Sequence, residues 1–363
     1  MSTERTTGRR RTGRRWLAAA CALAATTIGF SLSATGNSAQ AAVPDKFGFV
    51  LWNGAATVGS GTWPAATTVT VLGVGQYLVN FPGQAIPGGT AHVTAINSAP
   101  HWCQLNNFGP SGADEVVTIS CYKVGGVLDP TAFSAIFDAS SGPASSVGSF
   151  GYVNSQASGS IISQYNSAGL GNSVTHSGIG QWTVKFPGLA TPGPIDGSLQ
   201  ATAVSQQIPA RCKVLSWSSS PGGQVAQVTC FGATGAPFDT QFTLTYQYQR
   251  SLYGAAIPPK YFGYLWNVPP VGPASTNFNN PLGPGANSVA ASGLGLSIVK
   301  FPQLAVLPDD IQVTAAGKLA DFCGLDNIWT HSGPDTLVRN VNCFNNAGAP
   351  VSVGSLVSDN SLN

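Results

Sequence analysis

Charge is the scarcest resource in this 363-residue sequence, with Asp, Glu, Lys and Arg together making up 8% of it against roughly a quarter in an average soluble domain. Amphipathic helices draw their solvent face from those residues, so a mainly helical protein is excluded. Beyond position 41 the only glutamate is Glu115, and the whole chain carries four histidines and one methionine. Two-carboxylate glycoside hydrolysis and histidine-rich metal chemistry therefore have little to build on. The sequence also lacks a G-x-S-x-G elbow, a P-loop, a C-x-x-C pair and a dinucleotide glycine fingerprint in strand–helix context. These gaps argue against an enzyme of a common kind, and no cofactor or metal is expected.

What the chain does contain is 43% hydrophobic residues, with 44 glycines and 25 prolines, a balance that folds rather than remaining disordered. The first 41 residues hold six arginines (Arg5, Arg9, Arg10, Arg11, Arg14, Arg15) against Glu4, then an apolar run from Trp16 to about Leu32 and the small-residue pattern Ala39-Gln40-Ala41. This reads as a secretory signal, residues 1–41, cleaved after Ala41. The run is shorter than the roughly 20 apolar residues of a spanning helix, so no membrane span is expected after cleavage. Arg14-Arg15-Trp16-Leu17 fits either a twin-arginine or a general export signal. Without the signal the formal charge changes from +2 to −3. No basic patch interleaved with aromatics survives, which sets nucleic-acid binding aside.

Three repeats organise the remainder. An opening recurs as Phe47-Gly-Phe-Val-Leu-Trp-Asn53, Phe150-Gly-Tyr-Val-Asn154 and Phe262-Gly-Tyr-Leu-Trp-Asn267. A second block begins about 30 residues later and ends in Phe81-Pro82, Phe186-Pro187 and Phe301-Pro302, each preceded by Gly-x-Gly (Gly73 and Gly75, Gly178 and Gly180, Gly293 and Gly295). The units run over residues 42–139, 148–250 and 260–363, joined by Ser/Gly/Pro-rich segments that read as linkers.

Six cysteines fall two to a repeat: Cys103 and Cys121, Cys212 and Cys230, Cys323 and Cys343. Cys21 belongs to the signal. An even set in an oxidising compartment implies disulfides, and of the fifteen possible connectivities the repeat favours the three local pairs. Zinc is a weak alternative at these spacings.

Within the units the period is two. Trp182, Val184 and Phe186 share one strand face and Gln181, Thr183 and Lys185 the other; Tyr77, Val79 and Phe81 repeat the pattern, as do Phe242, Leu244, Tyr246 and Tyr248. Turn residues at intervals of about ten predict an all-β fold: three tandem antiparallel β-sandwich or jelly-roll-like units of seven or eight strands, each with one disulfide. The third unit departs from the pattern, with Ser297 in place of Tyr77 or Trp182, Gln303 in place of glycine after Phe-Pro, and a last strand that reads as shorter.

These blocks, together with C-x-V-x-x-W followed by V-x-C-F (Cys212 to Trp217, Val228 to Phe231), resemble those of uncharacterised secreted tandem β-repeat proteins of actinomycete type. The resemblance implies secretion and tandem units and brings no active site. The G-x-G-x-Y-x-V-x-F run is also similar to a strand of jelly-roll domains of the C1q and TNF kind.

Aromatics carry the functional expectation. Trp52 and Trp266 share a repeat position, while Trp102, Trp217 and Trp329 lie beside or shortly after a first cysteine. Such rings either stack on sugars and anchor partners or pack the core against the disulfide. The leading expectation is a secreted, non-catalytic protein that binds an extracellular polysaccharide or cell-wall polymer through these five residues. The alternatives are a hydrolase with its site at a unit interface, for which His176 beside Ser177 is the candidate, and a structural or inhibitory protein that engages another extracellular protein. Glu115, Asp309-Asp310, Asp321 and Asp326 read as solvated turn or loop acids, and Gly59-Ser60-Gly61 as a turn. The sequence carries no signal for oligomeric state.

Overall fold

The computed structural model describes residues 45–61, 66–141, 148–206, 208–254, 260–269 and 272–361. The expected signal segment and Cys21 lie outside them, as do residues 142–147 and 255–259 of the two linkers. Among the described residues every regular element is a β-strand, and the repeats contribute nine, eight and ten strands. The chain is all-β, with three tandem sandwich-like units and one disulfide in each, joining Cys103 to Cys121, Cys212 to Cys230 and Cys323 to Cys343.

Each repeat divides its strands between two sheets. Repeat 1 places Lys46–Trp52, Thr57–Gly61, Thr90–Ile96 and Ala132–Ala139 in one and Thr68–Gly73, Gln76–Phe81, His101–Ser111, Asp114–Lys123 and Val127–Leu128 in the other. Repeats 2 and 3 divide in the same way, with Ser198–Val204 and Asp309–Ala316 taking the place of Thr90–Ile96. The halves then fuse between neighbours through short parallel contacts: Ile96 with Leu325, Leu105 with Val204, and Val214 with Ala316. The result is three nine-stranded sheets, each drawn from two repeats, and the joins run 1 to 3, 3 to 2 and 2 to 1. The tandem units therefore close on themselves around a common centre.

Two of the repeated blocks explain each other. A Cβ on Gly48 would lie 2.2 Å from the ring of Phe81, on Gly151 3.0 Å from Phe186 and on Gly263 3.2 Å from Phe301. The glycine of the opening block is thus the space that the phenylalanine of the Phe-Pro block fills. The second glycine of each Gly-x-Gly turns a hairpin with positive φ (64°, 67° and 70°) and abuts the carbonyl of Cys121, Cys230 or Cys343. Gln303 holds the same left-handed conformation (φ 58°) as Gly83 and Gly188 in the other units, without their freedom to adopt it. The last strand of repeat 3, Gly354–Ser361, has eight residues like its two counterparts, so the expected shortening is absent. Gly59-Ser60-Gly61 lies in the strand Thr57–Gly61 and not in a turn.

Each unit has its own apolar core between its two half-sheets, and the alternation of Tyr77, Val79 and Phe81 and of Trp182, Val184 and Phe186 points these side chains into it. The strand Gln241–Tyr248 is different. Thr243, Thr245 and Gln247, its polar face, are as buried as Phe242, Leu244 and Tyr246. That face meets the centre, where polar side chains bond from repeat to repeat. His92 contacts Thr202 Oγ1 at 3.1 Å and Thr245 Oγ1 at 2.7 Å, Thr94 donates to Gln312 Oε1 at 2.8 Å, and Thr314 donates to Gln200 Oε1 at 2.7 Å. Ser134 donates to Asp310 in the same layer. Apolar packing builds each unit, while hydrogen bonds set the register between units.

Candidate functional site

The five tryptophans do not form the surface that sequence suggested. Trp52, Trp102, Trp217 and Trp329 are only 4–6% exposed, and Trp266 is half-buried. Trp52, Trp217 and Trp329 pack in the cores that hold Cys121, Cys230 and Cys343, because an indole close to the cysteine pair fills the space between the two half-sheets. Trp266 reaches across a unit boundary and meets Trp217 edge to face at 4.7 Å. The rings act as core residues, the other role the sequence allowed.

An aromatic groove exists elsewhere, at the seam between repeats 2 and 3. Its cavity of about 190 Å³ is lined by Asp196, Tyr248, Gln249, Tyr264, Asn277 and Phe278 among others. Phe278 stacks on Tyr264 with ring centres 5.7 Å apart. The Tyr264 hydroxyl accepts from Gln249 N at 3.0 Å, and Gln249, with φ 51°, bends the chain directly after the last strand of repeat 2. Thr276 donates to Gly197 O at 2.9 Å and to Ile195 O at 3.1 Å, locking the two walls together. Tyr248, Phe278 and Asp196 stay half-exposed at the mouth. Burial and the nearby charge of Asp196 push the Tyr248 hydroxyl's pKa up, so it is a neutral donor and acceptor. One oxygen of Asp196 accepts from Gly193 N at 2.7 Å. The groove thus combines aromatic faces with one carboxylate, two side-chain amides and two phenols.

The same position recurs at the other seams with different contents. Phe49, Tyr152 and Tyr264 are the third residues of the three opening blocks, and each stacks on another ring: Tyr253 at 5.3 Å, Tyr165 at 6.0 Å and Phe278 at 5.7 Å. Over Phe49 the partner comes from the start of the second linker, where Leu252 and Tyr253 are buried and Tyr253 donates to Asn360 O at 2.8 Å. The linker covers one seam, and the cavity lies at another.

The histidine expected to pair with Ser177 faces elsewhere. His176 Nε2 lies 2.9 Å from Asp239, while the Ser177 hydroxyl bonds Thr175 O at 3.3 Å and the Thr183 hydroxyl at 3.1 Å. Asp129 similarly holds His101 at 2.9 Å and Lys123 at 2.9 Å. The Asp239 pair braces a Gly-x-Gly hairpin, since Asp239 also accepts from Gly180 N at 2.6 Å. Several acids expected in solvent are interior. Glu115 and Asp310 are fully buried, Asp309 and Asp321 nearly so. Burial pushes the Glu115 carboxyl up to about 8 and that of Asp310 to about 7, so both resist ionisation. Asp309 is held 2.8 Å from His331.

Comparison with protein-family models, curated proteins and solved structures finds no match to this chain. Its three disulfides are consistent with an extracellular protein, and no helix among the described residues is long and apolar enough to cross a membrane.

Proposed function

We propose that this is a secreted, non-catalytic protein that binds an extracellular polysaccharide, seating a sugar ring in the groove between repeats 2 and 3. The observation that carries the reading is the convergence of Tyr248 and Phe278 with Asp196 and Gln249 around a cavity of about 190 Å³. A sugar offers an apolar face to aromatic rings and hydroxyls to a carboxylate and an amide, the combination this groove presents. A single groove carboxylate leaves no partner for two-carboxylate hydrolysis, so binding without cleavage is the better reading. The site differs from the expected tryptophan array in being one place and not a repeated one.

The test is retention of oxidised protein on insoluble cellulose, chitin and peptidoglycan. Selective retention on one matrix is expected, weakened about tenfold by Tyr248→Ala, equivalent to about 1.4 kcal/mol. Asp196→Asn should weaken it less, and Trp52→Phe, in a core remote from the groove, should leave it unchanged. No retention on any matrix, or retention indifferent to Tyr248→Ala, would sink the proposal.

A further inference from the structure

At the centre of the molecule the three residues that precede the first cysteines of the repeats come together: Trp102, Arg211 and Phe322. The Arg211 guanidinium lies 4.6 Å from the ring centre of Trp102 and 4.6 Å from that of Phe322, a cation held between two aromatic faces. These residues line a cavity of about 50 Å³ whose other walls are the innermost strands of all three repeats, with Cys103, Cys212 and Cys323. Lys213 and Asp321 complete the lining.

The charges there do not balance. Arg211, Lys213 and Asp321 are all at least nine-tenths buried, giving two cations for one carboxylate. Asp321 stands 3.8 Å from Lys213, an ion pair too long for a good hydrogen bond. Lys213 instead donates to Leu319 O at 2.7 Å, and Arg211 donates through one terminal nitrogen to Asn346. The Arg211 Nε–H is left without an acceptor, as is the indole N–H of Trp102. A buried cation with an unused donor is costly unless an anion or acceptor completes it. Burial, aided by the charge of Arg211, lowers the Lys213 pKa to about 8 in spite of Asp321, a measure of how poorly this charge is compensated.

We propose that this central cavity is a binding site for one small anion, a halide or the carboxylate of a small acid, held by Arg211 and Lys213. Its volume is roughly four times what one water needs, enough for such an ion and too small for a sugar. Access runs past the three wall cysteines, which are half-exposed. A bound anion neutralises the excess charge where the three repeats meet, so it ties the units together independently of the seam groove.

The experiment is thermal unfolding of oxidised protein in sodium bromide or sodium formate against sodium gluconate at matched ionic strength, gluconate being too large to enter. Bromide, formate or both should raise Tm by about 3–5 °C at a hundredfold excess over Kd. The shift should vanish in Arg211→Met, which keeps an apolar filler between the two rings, and in Lys213→Met. Asp321→Asn, which removes the competing carboxylate, should enlarge it. A bromine anomalous peak is expected within about 4 Å of Arg211 Nε, the reading that decides should a methionine variant fail to fold. Equal Tm in all three salts, or a shift that persists in both methionine variants, would overturn the site.

Discussion

A methyl group on Gly48 would have to displace the Phe81 ring, whose Cδ1 lies 2.2 Å from where that Cβ would stand, and Phe81 is wholly buried with nowhere to move. Gly48→Ala should therefore destabilise repeat 1 by about 2–3 kcal/mol, the cost of overpacking a full core. Urea unfolding checks this, with a specific control: Phe81→Leu in the Gly48→Ala background should recover part of the loss, although Phe81→Leu alone destabilises. Additive effects of the two changes would show that the glycine serves some other purpose. At this scale the sequence is half legible. Its repeated glycines and aromatics mark the right positions, but a tryptophan reads the same whether it fills a core or faces a ligand, since both uses draw on its area. Glu115 and Asp310 mislead for a related reason. A carboxylate in a chain poor in charge reads as solvated, whereas these two sit where burial holds the proton on.

Strands are the most legible elements, because a period of two with turn residues between runs fits little besides a half-buried strand. The cysteine pairing is legible too. In the structure each pair is directly opposite across neighbouring antiparallel strands, with Cα atoms 4.0–4.1 Å apart, so the bond clamps an existing register. Replacing both Cys212 and Cys230 by Ala should cost about 3 kcal/mol, as expected for closing a loop of 18 residues. Denaturant titration checks the value, and retained native spectra in the variant would show that the register survives without the bond. What the element scale conceals is partnership. The three innermost strands, Thr90–Ile96, Ser198–Val204 and Asp309–Ala316, alternate polar with apolar residues as a solvent-facing strand would, yet every residue in them is buried. Their polar face looks inward to the other repeats, and nothing in a local pattern distinguishes water from a hydrogen-bonded neighbour.

Carboxyls buried in the interior, Asp310 of the polar layer among them, govern how the whole molecule responds to pH. Burial holds the carboxyls of Asp310 and Glu115 up to about 7 and 8, and raises those of Asp138 and Asp359 well above their ordinary range. Below about pH 4 folded and unfolded chains bind these protons alike, and the stabilisation is complete. As pH rises toward 7–8 the unfolded chain releases them first, so each group removes about 1.4 kcal/mol per pH unit between its two pKa values. His92 opposes this, since burial lowers its pKa to about 3 and its stabilisation is lost as pH falls below about 6.5. It is one group against four. Asp129 and Asp239, lowered by their hydrogen-bonded partners, lose their contribution only near pH 4 and below. Thermal stability should consequently be highest near pH 4 and decline toward pH 8. Asp310→Asn isolates one contribution, because the amide imitates the protonated acid while still accepting from Ser134. The variant should match the parent at pH 4 and unfold at a higher temperature at pH 8. A Tm that rises from pH 5 to pH 8, or an Asp310→Asn variant that is destabilised equally at both, would mean that the centre holds its carboxylates ionised and that the three repeats are joined by charge rather than by neutral hydrogen bonds.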